Sequence, residues 1–479
     1  MTINMLRNRT KSYRGNFMKK WRFLPILCLA GTSLLLSACK SDDVDPDGKT
    51  LINFFGWGSA EEQENFQTMI NSFMEDNPDV KVSYEATSAT NYSKLLSTKA
   101  KNLPDVFYMP DYDFLQWASA GKLMDISSYV SDEEMKDIWP VAKKMFRYDS
   151  ETKKLGEGRA LYGLAKDLGP YSLVYNKTAM EQIIKTKGLK DNSGATLSLP
   201  SATDPMSWDE FVKYFSKFKG NEYNAYPIGY YEPMHAVYSN NADFWNEDAT
   251  KTAITTKNFK DAIQWIADLS LVHGIAPNAK EAKASNGYQR FLNKQCLVTF
   301  MGPWDQKAYW NSVDFDFDIM PTPYGTASGA KSTSWIGSVA LSCRNFSKNE
   351  QKKKEASIRL AKYLTIGEKC ARMNYQLGQA MPNIMTMAKT DWINNVGLEG
   401  RQTLPEHKNV WLDITTGNDK VTYHNRAKYY LYYNSSYDDL ISNIADNVNT
   451  GLKTASQYLD EFAPTHQELL DDNAVALQD

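Results

Sequence analysis

Three sets of residues in this chain could do chemistry, and each implies something different. The first is acidic side chains at alternate positions. Asp43, Asp45 and Asp47, followed by Gly48, imitate the opening of a calcium-binding loop. The twelfth position of such a loop needs a bidentate Glu and here is Phe54, so a flexible acidic tether is the better reading. Asp314, Asp316 and Asp318 fall on one face of the alternating stretch Val313 to Met320. With no Gly at the sixth position and no Glu downstream, they read as an exposed strand face. The five His are scattered without ligand spacing, so neither a metal nor a cofactor is expected. The second set is thiols. Cys296, Cys343 and Cys370 are too far apart for a staple framework and read as buried small hydrophobes. Cys39 stands apart, just beyond the apolar run Phe23 to Leu36. The third set is aromatic: 28 Tyr, 12 Trp and 20 Phe. Rings this frequent fill large cores or line a ligand cleft, where their partially negative faces stack on C–H surfaces. Such a cleft also needs Asp, Glu, Asn or Arg to meet a ligand's hydroxyls.

Seven basic and no acidic residues precede Cys39. The apolar run is shorter than the ~20 residues of a spanning helix and has the layout of a signal-peptide core. Leu36-Ser37-Ala38-Cys39 resembles the lipobox of bacterial lipoproteins. That resemblance implies cleavage before Cys39 and diacylation of its thiol; a plain secretory signal with an incidental cysteine is the alternative. Residues 1–38 are then a signal peptide, with Met18 a more conventional start than Met1. Residues 39–49 are the lipidated Cys and its tether. The rest is seven charges more acidic than the full chain's −3, which argues against nucleic acid and against a polybasic membrane patch. The acyl chains would hold the protein at the membrane.

The elements that must position the rings follow from periodicity. Roughly 440 residues exceed what one core supports, so two lobes are expected. Leu51 to Phe55 reads as a buried strand, followed by a helix with Ser59 and Glu62 as its capping box. Phe66, Met69, Ile70 and Phe73 follow at helical spacing. Val80 to Tyr84 and Pro104 to Met109 are further strands, with a helix from Tyr92 to Lys101 between them. This alternation points to a mainly parallel sheet flanked by helices. Ligands sit at the carboxyl ends of such strands, where Trp57 and the turn Pro110-Asp111-Tyr112 fall. Leu161 to Lys177 is a pair of apolar runs about a Gly-Pro turn. Helices are expected over Trp208 to Phe218, with Ser207 and Glu210 as box, and over Asn258 to Val272, Asn286 to Asn293 and Lys348 to Leu364. Cys296 to Met301 and Trp335 to Cys343 read as strands. Ser435 to Leu470 reads as helical, with Ile441, Ile444, Val448 and Leu452 on one face. Trp208 and Trp265 sit among apolar residues and read as core.

From about Thr50 onward the order of landmarks resembles the extracellular solute-binding proteins of ABC importers, in particular the sugar-binding group of the maltose-binding type. The pieces are FFGWGSAEEQENF, NSFMEDNPDVKVSY, LPDVFYMPDYDFLQWASAGKLMDIS, YGLAKDLGPYSLVYNK, PMSWDEFVKYFSKF, GYQRFLNKQCLVTFMGPW and FDIMPTPYG, then a small-residue strand and AKYLTIGEKCARMNYQLGQAMPN. The resemblance implies an α/β, two-lobed, type II (Venus-flytrap) periplasmic-binding fold with an interlobe hinge. Lobe 1 would hold 50–168 and 332–377, and lobe 2 would hold 169–331 and 378–479. Ligand would bind between the lobes and close them.

The resemblance also implies which residues line the cleft. Trp57 would be the first-lobe platform, with Asp111 and Tyr112 beside it. Asp167 and Tyr171 would bracket the first crossover. Tyr230, Tyr231, Glu232 and His235 match the family's aromatic loop, Trp304 its stacking Gly-Pro-Trp, and Trp335 and Gly337 the strand returning near the hinge. Tyr429, Tyr430, Tyr432 and Tyr433, with Trp392 and Trp411, lie where the chain departs most from the family pattern. The implied protein is an extracytoplasmic, lipid-anchored monomer without bond chemistry, handing an oligosaccharide to membrane permease subunits. A polyamine is the main rival ligand, since it would use Trp and Asp together. A secreted glycosidase with two carboxylates is the enzyme alternative, opposed by the landmarks. Gly-x-Ser-x-Gly and His-Glu-x-x-His are both missing from the sequence.

Overall fold

The computed structural model describes residues 44–152, 154–156, 158–247, 250–425 and 437–476. The expected signal segment, Cys39, the start of the tether and Tyr429, Tyr430, Tyr432 and Tyr433 lie outside the described residues. Strand β1 (Thr50–Trp57) buries Ile52, Phe54 and Phe55. It pairs in parallel with β2 (Val80–Thr87) along its whole length and with β3 (Val106–Pro110) on its other edge. The helix Ala60–Asp76 begins at the expected box: Glu62 N donates to Ser59 Oγ at 3.2 Å, and Ser59 N to the Glu62 carboxylate at 2.8 Å. Phe66, Met69, Ile70 and Phe73 are its buried face.

A small sheet of β4 (Arg147–Asp149), β5 (Lys154–Leu155) and β6 (Ala160–Leu161) follows, in the order β5–β4–β6. Next come β7 (Leu164–Ala165), β8 (Gly169–Pro170) and β9 (Ser172–Asn176). The expected Gly-Pro turn is therefore a strand. The chain continues through β10 (Tyr226–Ile228), β11 (Cys296–Met301), β12 (Phe317–Met320), β13 (Ser332–Gly337), β14 (Val339–Cys343) and β15 (Val421–Asn425).

The first large sheet has the order β2–β1–β3–β14–β7, with β14 antiparallel to both neighbours. The second is β10–β11–β9–β12, parallel only between β10 and β11. A third, β15–β13–β8, joins the segment entering the second sheet to the one returning to the first. The mainly parallel expectation thus holds in the first sheet for β2–β1–β3, while among the other described strands only β10–β11 and β13–β15 are parallel pairs. Alternation along a strand reports its faces, while its direction depends on where the chain comes back from.

Three more expectations are corrected. Trp335 to Cys343 is two strands, broken at Ser338. The terminal helix is also two, Asp438–Asn447 and Ala455–Ala476. Leu452 lies in the break and is 74% exposed, one residue after Gly451 at φ +76°. Asp314 and Asp316 are exposed as expected, but Asp318 is fully buried on β12. Its charge is met from 89 residues downstream, where His407 N donates at 3.0 Å and His407 Nδ1 lies 2.5 Å away.

Trp208 stacks on Trp265 at 4.7 Å in the second-sheet core. Trp392 and Trp411 are fully buried and stack at 5.9 Å. Burial pushes the Cys343 and Cys370 thiols up to about 12, so both stay protonated and inert at neutral pH.

Under the first sheet, Asp105 is 2% exposed and lies 2.8 Å from Arg344 Nη2 and 3.4 Å from Lys353 Nζ. It also accepts from Asn53 N at 2.8 Å, so one carboxylate fastens β1, β14 and the helix Gln351–Thr365. Asp105→Ala leaves two largely buried cations short of a counter-charge. It should cost about 3–5 kcal/mol in urea unfolding. A loss below ~1 kcal/mol would show that the cluster is solvated.

Candidate functional site

Ser338 is the one residue between β13 and β14, and it forms a joint. Its N–H donates to Asp111 Oδ2 at 2.9 Å, and its carbonyl accepts from Asp111 N at 3.3 Å. Its hydroxyl donates to the Asp167 carbonyl at 2.5 Å. Lys166 N donates to Val339 O at 2.8 Å. Asp111 and Asp167, placed in the sequence as ligand carboxylates, thus meet at this joint, 2% and 6% exposed. Asp111 follows β3 directly as the first residue of the helix Asp111–Ser119, so the expected turn is a strand–helix junction. The Asp167 carboxylate pairs with Lys166, also buried, whose ammonium lies 5.4 and 5.6 Å from the Phe66 and Tyr108 ring centres. Lys166 and Ser338 were missed from sequence; the only local signal was a Lys-Asp pair inside an apolar run.

On the second-sheet side the rings form a stack. Tyr171 lies between β8 and β9, parallel to Trp304 at 5.6 Å and 12°. Trp335 of β13 stands 5.0 Å from Tyr171 and 6.2 Å from Trp304. Phe300 of β11 backs Tyr171 at 5.2 Å, and His235 packs on Phe300 at 4.5 Å. Phe300 was not anticipated, because in sequence it is one apolar residue in a core strand. Trp304 owes its seat to two glycines. A Cβ on Gly169 would come within 2.4 Å of the indole, and one on Gly302 within 2.3 Å.

Glu232 supplies the carboxylate of this group. It starts the helix Pro233–Ser239 and accepts from Trp335 Nε1 at 3.0 Å. His235 Nδ1 lies 3.2 Å from the same oxygen without a well-aligned hydrogen bond, and its ring is fully buried against Phe300. Gly337 pairs with Gly169 across β13 and β8. Tyr231 does not join the stack. It is buried against Trp265 (4.9 Å) and Phe211 (6.1 Å) and is a core ring, while its neighbour Tyr230 is exposed. In the first lobe Trp57 is half-buried on Tyr92 and Tyr108, at 4.6 and 5.0 Å. Tyr112 is half-buried in the first turn of Asp111–Ser119.

The arrangement offers ring faces with a carboxylate beside them, suited to a ligand with C–H faces and hydroxyls. Among the described residues one group has donor atoms close enough for a metal: Asp318, Glu406 and His407, within 4.8 Å. Glu406 is paired with Lys177 at 2.7 Å and Asp318 with His407, so the group works as a clasp between β12 and the segment before the helix Asn409–Thr416.

Next to Trp304, burial pushes the Asp305 carboxyl up to about 7; Gly302 N–H, 3.0 Å away, opposes this and Glu62 adds to it. The folded chain then holds a proton that the unfolded chain releases near 3.8. Stability from this group is full below that value and is lost as pH rises through about 7. Asp305→Asn should flatten this part of a pH–stability profile. An unchanged slope would show Asp305 ionised throughout.

No functionally curated protein matches the chain in sequence. Solved structures match its fold. One is the ABC substrate-binding protein Lmo0181 of Listeria monocytogenes in complex with cycloalternan: TM-score 0.71, 17% identity, 89% of this chain and 99% of that one. Another is the cyclic alpha-maltosyl-1,6-maltose binding protein of Arthrobacter globiformis: TM-score 0.67, 16% identity, 89% and 100%. Maltose-bound MalE3 of T. maritima gives TM-score 0.67, 17% identity, 88% and 99%. The fold is therefore the two-lobed type II periplasmic-binding architecture. Among the described residues no helix is long and apolar enough to cross a membrane. The pattern of the bacterial extracellular solute-binding proteins matches residues 57–365, and the chain belongs to that family.

Proposed function

We propose that this protein is a cell-surface receptor that binds an oligosaccharide between its lobes and delivers it to the permease of an ABC importer. The observation that carries this is the stack of Tyr171, Trp304 and Trp335 with Glu232 hydrogen-bonded at its edge. Ring faces take the C–H faces of successive sugar units, and the carboxylate takes hydroxyls. Trp57 and Tyr112 form the opposing wall, and Asp111, Asp167 and Gly337 the hinge side. The oligosaccharide-bound structural neighbours support the ligand class. Lobe 1 spans 50–168 and 332–377, and lobe 2 spans 169–331 and 378–479. The protein acts as a monomer, catalyses no reaction, and is held at the membrane by lipid on Cys39.

The ligand is tested by calorimetric titration of a chain beginning at Lys40 with an oligosaccharide panel, spermidine and putrescine. Saturable binding of one glycan series is expected, with affinity rising with length. Binding to polyamines alone would replace the ligand class. Trp304→Ala should weaken that binding by at least about 1 kcal/mol, as loss of a buried aromatic anchor does. Equal affinity in a folded variant would remove Trp304 from the site. Cys39→Ser should move the protein from the membrane to the soluble fraction on cell fractionation; continued retention would overturn the lipid anchor.

A further inference from the structure

Behind the Tyr230–Glu232 loop lies a second cavity, of about 270 Å³, that the aromatic stack does not line. It is bounded by the loop, the helices Lys257–Leu271 and Ala279–Ala284, and the helix Asp438–Asn447, and it is partly open to solvent. Ile266, Leu269, Ile441 and Ile444 make its apolar wall. Lys283 stands at the rim and pairs with Asp446, tying two of the enclosing helices.

Where the lining meets the sheet it is crowded: a Cβ on Gly229 would fall 2.4 Å from Cys296 Sγ, and one on Gly287 would fall 2.4 Å from Thr299 Oγ1, so both positions are confined to glycine. Ala267, Ala276 and Ala282 line it elsewhere.

We propose that this cavity is a binding site for a small, neutral, mainly apolar molecule, of the class of toluene or indole. An apolar cavity of about 150 Å³ holds benzene, so this one, at about 270 Å³, has room for a larger ring system. Its one charged side chain, Lys283, is exposed at the rim and paired with Asp446, so it brings no buried charge to the apolar wall. Ser270, Ser285, Asn286 and Asn449 add polar atoms to the lining, but most of it is apolar, and a sugar would leave most of its hydroxyls unmet. The site is independent of the oligosaccharide reading, since it shares none of the stacked rings.

The test uses the full chain with toluene and indole, followed by thermal unfolding and calorimetry, beside Ala445→Phe and Ala282→Phe, which fill the cavity from two sides. Saturable binding is expected, with affinity at least tenfold weaker in either filled variant that unfolds cooperatively. No saturable response in the unmodified protein, or equal affinity in both variants, overturns the proposal. If neither variant folds, nuclear Overhauser contacts from toluene to the Ile441 and Ile444 methyls in the unmodified protein decide it: their presence supports the site and their absence overturns it.

Discussion

The structure turns on Ser338. Its N–H, carbonyl and hydroxyl are all committed to Asp111 and to the Asp167 carbonyl. These bonds fix the point where the chain leaves the three-stranded hinge sheet for the first large sheet. Asp111 follows β3 and opens the next helix, and Asp167 precedes β8, so three separate passes of the chain meet at one residue. Groups buried this deeply must be satisfied locally, since an unpaired donor or carboxylate here would carry its full desolvation cost. The joint is therefore well defined.

The rings of the candidate site are held from the same place. Trp335 lies three residues before Ser338 on β13, and Gly169, two residues after Asp167, is the floor under Trp304. The aromatic stack is thus registered to the hinge through backbone rather than through flexible side chains. Packing against Phe300 and His235 limits the rotamers of Tyr171, which keeps the surface preorganised for a ligand.

The second large sheet has a different character. One of its faces packs on Trp208, Trp265 and Tyr231, and the other shares a core with the Trp392–Trp411 pair. The clasp of Asp318, His407, Glu406 and Lys177 fastens the later segment to the edge of that sheet. Residues far apart in the chain thereby complete a domain whose sheet is formed earlier.

Local order was legible in the residues themselves. The capping boxes at Ser59 and Ser207, the buried face of Ala60–Asp76, the Trp208 core position and the inert cysteines all depend on neighbours within a few positions, which the sequence displays. The landmark order carried the family, because the spacing of strands and helices survives where individual residues change. Strand direction, the break at Ser338, the burial of Asp318 and the withdrawal of Tyr231 into the core were decided only by tertiary structure. Each depends on a partner from 20 or more residues away, or on which side of a strand the rest of the chain returns to pack. Lys166, Phe300 and Ser338 belong to the same class: nothing in their neighbours marks them, and they acquire their roles only when β3, β8 and β13 are brought to one point. The sequence alone determined which elements form and to which family they belong; folding determined which of its many rings and carboxylates face one another, because that depends on long-range pairing that local propensity does not encode.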